Sequence, residues 1–152
     1  MLRKLYISII FLFLAASAWA KTPVEDVVNR YTDMKGVRHL TAKGAKMNMV
    51  RPILRTYPLG PLADDVQYLI VLKLEKASVA DRKIFEKDLL TALKQYEYCV
   101  TQEAQEGGMA DVYIYRSQSG EIIEIVVYNP EKATLNSLQG KFPVEELLRL
   151  RQ

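Results

Sequence analysis

Between Glu97 and Gln139 four runs rich in branched and aromatic residues follow one another with only short polar breaks between them. They are Glu97 to Glu103, Ala110 to Arg116, Glu121 to Asn129 and Ala133 to Gln139. Gly107-Gly108, Ser119-Gly120 and Asn129-Pro130 sit in the breaks and are the residues tight turns use, so the runs are expected to pair antiparallel in sequence order. Val112 to Tyr115 and Ile122 to Tyr128 are apolar or aromatic on both sides, which calls for cover on both faces of the resulting sheet.

The rest of the chain supplies helices and a further buried strand. Val66 to Leu74, VQYLIVLKL, reads as a buried strand. Ser78 then caps a helix whose residues Ile84, Phe85, Leu89, Ala92, Leu93 and Tyr96 form a stripe directed at the sheet, with Asp81 completing a variant capping box. Upstream, Thr22 and Pro23 open a helix carrying Val24, Val27, Val28 and Tyr31, and Gly36 stops it. Val37 to Ala42 reads as a short strand. Ala45 to Tyr57 reads as a second helix with Met47, Val50, Leu54 and Tyr57 on one face, kinked or divided at Pro52. Phe142 to Leu150 closes the chain as a helix. The fold class expected is α+β, a mostly antiparallel sheet with helices packed on one face and aromatic material on the other.

The amino end reads as an address. Arg3 and Lys4 precede an uncharged run from Leu5 to Ala20, and Ala18-Trp19-Ala20 offers small residues to a signal peptidase. The run is shorter than the roughly 20 residues that span a bilayer core. Residues 1–20 are therefore expected to be a signal peptide cut between Ala20 and Lys21, and residues 21–152 one α+β domain that is periplasmic or secreted. With Lys21 at the cleavage site, the cysteine that a lipoprotein needs there is missing.

Cys99 is the one cysteine in the chain, so no internal disulfide is possible, and its setting in Tyr98-Cys99-Val100 suits a small buried hydrophobe. His39 is the one histidine. Together they are too few for a zinc cluster, and no catalytic, cofactor-binding or metal-binding residues are assigned. A Cys99–His39 dyad would need a third group to orient the imidazole, and neither residue lies in a recognised motif. Gly107-Gly108 lacks the lysine and following helix of a phosphate loop.

The apolar strand VQYLIVLKL, the capped helix followed by Tyr96-Glu97, the run VYIY at Val112 to Tyr115, GEIIEIVV from Gly120 to Val127 and LNSLQGKF from Leu135 to Phe142 give the chain a likeness. It resembles a family of exported bacterial proteins, common in Bacteroidetes, catalogued as domain of unknown function 4252. The resemblance spans about residues 23 to 150 and implies export and a small α+β domain, and it brings no catalytic residues with it. It also links the chain by association to envelope-stress or surface regulation. Cys99 stands where leucine or methionine would be expected.

Charge is unevenly spread. Between Asp33 and Asp64 there is no acidic residue, while Lys35, Arg38, Lys43, Lys46, Arg51 and Arg55 are all basic. Lys43, Lys46, Arg51 and Arg55 form the candidate interaction surface, with Lys46, Arg51 and Arg55 expected to point outward. The plain reading is a solvated basic face. The sharper one is a non-catalytic exported module that binds an envelope protein or an anionic membrane surface, with no nucleic acid partner. The alternative is a small-ligand carrier or enzyme with a pocket under a wall of tyrosines, residues 96, 98, 113, 115 and 128, in which Tyr113 or Tyr128 would line the pocket.

Overall fold

The computed structural model of the chain describes residues 21–104 and 107–150, and the expected leader lies outside them. In chain order the elements are α1 (Pro23–Tyr31), β1 (Arg38–Lys43), α2 (Ala45–Leu54), a 3-10 turn (Gly60–Asp65), β2 (Val66–Lys73), α3 (Val79–Leu93), β3 (Glu97–Glu103), β4 (Met109–Arg116), β5 (Ile122–Asn129), β6 (Thr134–Phe142) and α4 (Val144–Leu150). The expected caps form. Thr22 Oγ1 accepts from the Glu25 amide at 3.2 Å, and Ser78 Oγ accepts from the Asp81 amide at 3.1 Å, each satisfying a donor that the helix start leaves unpaired.

All pairings in the six-stranded sheet are antiparallel, in the order β1-β2-β6-β5-β4-β3. The meander from β3 to β6 follows the hairpin reading. β6 then returns to pair with β2, setting Leu135 against Leu72 and Leu138 against Leu69.

Side-chain alternation splits the core between the two faces. On one face Ile70, Leu72, Val126 and Leu135 meet Val24, Val27 and Val28 of α1 and Phe85 and Leu89 of α3. On the other, Leu69, Ile114, Ile125 and Leu138 meet Met47 of α2, Leu62 of the 3-10 turn and Leu147 of α4. The class is α+β with an antiparallel sheet. Helices α1 and α3 share one face, while α2, the 3-10 turn and α4 close the other, so helices cover both faces rather than one. Four tyrosines of the sheet, Tyr68, Tyr113, Tyr115 and Tyr128, pack on the α1/α3 face, and the buried residues of the second face include one aromatic side chain, Phe142.

A bulge shapes β5. Its pairing with β4 steps from Tyr115 opposite Glu124 to Arg116 opposite Ile122, so Ile123 is the extra residue on that side. Strict alternation would put Ile122 on the same side as Glu124. The bulge instead lets Ile122 and Ile125 both enter the second core and leaves Glu124 on the α1/α3 face.

Several local expectations change. Ile84 is 54% exposed, because the buried arc of α3 is set by Phe85, Leu89, Ala92 and Leu93 and the neighbouring position lies about 100° away. Helix α2 runs through Pro52 undivided and ends two residues later, which leaves Tyr57 outside it and exposed. Cys99 is half-buried rather than buried. It packs on the second core, but β3 is an edge strand with a register shift between Tyr98 and Val100, so one side lacks a neighbouring strand.

Candidate functional site

Helix α2 carries two apolar stripes. Met47, Val50 and Leu54 recur at three- and four-residue spacing and pack on the second core, as the sequence led us to expect. The opposite side holds Ala45, Met49, Pro52 and Ile53, all exposed, with Met49 at 77% and Ile53 at 57%. Four residues separate Met49 from Ile53, so their side chains lie one above the other on the outer face. Lys46, three residues before Met49, is exposed beside them.

The four candidate basic residues do not act as one ridge. Arg51 turns back to the body of the protein, donating from Nη2 to the Val66 carbonyl at 3.0 Å and from Nη1 to Asn48 Oδ1 at 2.6 Å. It ties α2 to the start of β2. Arg55 is exposed and pairs with Asp64 at 2.6 Å. Lys43 places its Nζ 5.7 Å from the centroid of the Tyr68 ring. Among the described residues, Lys46 is the member of the set whose ammonium has neither an ion pair nor a ring beneath it.

The tyrosine face is filled. Tyr96 stacks on Tyr115 with ring centroids 4.8 Å apart, and Tyr98 meets Tyr113 edge-on at 5.6 Å. Tyr128 is buried, yet its edge lines an open cleft of about 220 Å³ between the start of α3 and the β5–β6 turn, with Arg82, Lys83 and Glu86 around it. Its hydroxyl bonds to Glu86, and burial, chiefly, pushes its pKa up, with Glu86 adding to the shift.

The most unusual group was not singled out in the sequence. Glu124 is fully buried between β5 and α1. Thr22 Oγ1 donates to its Oε2 at 2.7 Å, Ser137 Oγ at 2.8 Å and Gln139 Nε2 at 3.2 Å, and the Tyr96 hydroxyl donates to Oε1. Gln139 Nε2 also reaches Glu25 Oε2 at 3.0 Å, and the Val24 amide donates to the Tyr96 oxygen at 3.3 Å. Removal from water pushes the Glu124 carboxyl above the ordinary range. The Tyr96, Thr22 and Ser137 donors oppose the shift, and the Glu25 charge adds to it. The same burial, with Glu124 next to it, drives Tyr96 upward. A signal was available: Glu124 is a lone charge between Ile123 and Ile125 in a strand needing cover on both faces.

Among the described residues no group of three or more His, Cys, Asp and Glu side chains is placed to hold a metal ion, and no helix is long and apolar enough to cross a membrane. No family model, curated protein or solved structure matches the chain. The likeness to domain of unknown function 4252 accordingly rests on the residue patterns alone.

Proposed function

We propose that this is an exported, non-catalytic envelope protein that works as a partner- or surface-binding module, the export being what the resemblance to domain of unknown function 4252 implies. The observation that carries the reading is the outer face of α2. Large apolar side chains stand in water there, within a 30-residue stretch that has basic residues and no acid. An exposed apolar patch with a charged rim marks a contact surface more often than scattered apolar residues do. Among the described residues, Glu124 is the carboxylate held above its ordinary range, and it is sealed from solvent by four donors, an arrangement that suits a structural pin rather than an acid or base meeting a substrate.

Two measurements test this. Amino-terminal sequencing of envelope protein is expected to begin at Lys21, and a start at Met1 would overturn export. Affinity capture from the native envelope is expected to weaken in Lys46→Glu and at raised salt, because exposed charges are screened over about 8 Å at physiological ionic strength. Capture indifferent to both would sink the assignment of the surface. The small-ligand alternative has one observation of its own, the Tyr128-lined cleft. Its mark would be a ligand whose binding is lost in Tyr128→Phe or Arg82→Gln.

A further inference from the structure

We infer that the outer stripe of α2 seats on an anionic lipid surface, with Met49 and Ile53 entering the boundary between headgroups and acyl chains. This rests on the binding-module reading and names its partner. The inner stripe is spent on the core, so the outer apolar side chains have no use within the fold. Pro52 belongs to the same outer side and is exposed, which makes that side continuous from Ala45 to Ile53 without a charged residue.

What surrounds it is positive. Lys46 stands beside the stripe, and no carboxylate occurs in the chain between Asp33 and Asp64. Asp64 itself is paired with Arg55. A helix lying in a bilayer interface has this make-up, apolar residues toward the acyl chains and lysines toward anionic headgroups. A conventional protein groove would accept the apolar stripe equally well, but it gives no reason for acids to be missing from so long a stretch.

Every residue of the two cores lies between Val24 and Leu147, so the chain from Lys21 to Gln152 carries both and is the form to test. It contains no tryptophan, since Trp19 is the only one in the sequence, and Met49→Trp therefore supplies a single indole at the contact. Mixed with phosphatidylglycerol vesicles at low salt, this variant is expected to shift its emission to the blue. With phosphatidylcholine vesicles it should not shift. Co-sedimentation of the unsubstituted chain with the anionic vesicles should weaken about tenfold in the double variant Met49→Ser, Ile53→Ser, whose lost groups are exposed and leave the melting temperature in place. An unshifted indole on anionic vesicles overturns the lipid assignment, as does undiminished binding by the double variant. Salt-sensitive capture of an acidic envelope protein without any vesicle response also overturns it, while leaving the binding-module reading standing.

Discussion

Thr22 Oγ1 serves two partners at once, accepting from the Glu25 amide at 3.2 Å and donating to Glu124 Oε2 at 2.7 Å, 102 positions further along the chain. The cap that starts the first helix is thus also the bolt that holds it to the sheet. Thr22→Val keeps the bulk and removes both bonds, and should lower stability by about 2 kcal/mol in urea denaturation. Thr22→Ser should restore most of it. Equal stability of the valine variant and the parent would show that the bolt carries no weight.

Glu124 should give the protein an inverted response to acid. Its pKa is raised in the folded state above the ordinary value of 4.5, chiefly by burial, so between those two values the folded chain holds a proton that the unfolded chain has released. Its contribution is complete below the unfolded value and is lost as pH rises through the folded one, at about 1.4 kcal/mol per pH unit inside that window. Glu124→Gln stays uncharged throughout. The parent should lose stability relative to this variant as pH rises, then run parallel to it. A constant difference from acid to neutral pH would mean that the carboxyl titrates normally.

Gly140 packs against the chain where β2 begins. A Cβ on it would lie 2.0 Å from the Asp65 carbonyl oxygen, a backbone atom that cannot swing aside. Gly140→Ala should therefore cost about 3 kcal/mol or prevent folding, which thermal denaturation will show. A melting temperature unchanged from the parent would refute the close approach.

Much of the architecture can be read from residues whose signal is local. Thr22, Pro23 and Ser78 mark helix starts by capping chemistry alone, and the hairpins follow from Gly107, Gly108 and Gly120, all at positive φ in the structure. What escaped the reading depends on partners distant in sequence. Glu124 draws its donors from α1, β6 and the segment before β3, and no window around it contains them. The surface was legible as charge but not as geometry. The spacing gave the buried stripe of α2, whereas only the fold shows that Arg51 points inward to Val66 and that Met49 and Ile53 take the outside.

Lys46 and Arg51 of α2 and Arg55 just past its end should separate in their effects on stability. Arg51→Gln removes a partly buried bond to the Val66 carbonyl and should cost about 1–2 kcal/mol. Arg55→Gln loses an exposed pair with Asp64 and should cost under about 1 kcal/mol, and Lys46→Gln should be close to neutral. Chemical denaturation of the three single variants checks the order. Arg51→Gln as harmless as Lys46→Gln would show that the inward turn is not held in solution.

Cys99 should react with a thiol reagent in the native protein at a measurable rate, below that of the unfolded chain. Half-burial on an edge strand shields the sulfur without enclosing it. Complete protection until denaturation would mean that the edge is covered by something else, and labelling as fast as in denaturant would mean that its packing on the second core is absent.

The strand order sets a timetable for the nascent chain. β6 is the last strand to be made, yet it lies between β2 and β5. Until Thr134–Phe142 has been synthesised, β1 with β2 and β3 with β4 and β5 are separate ribbons, each with an unpaired inner edge. The joining contacts span long stretches of sequence, which slows folding because loop closure must come before any gain from pairing. The sheet therefore stays unclosed until the last of the six described strands has been made.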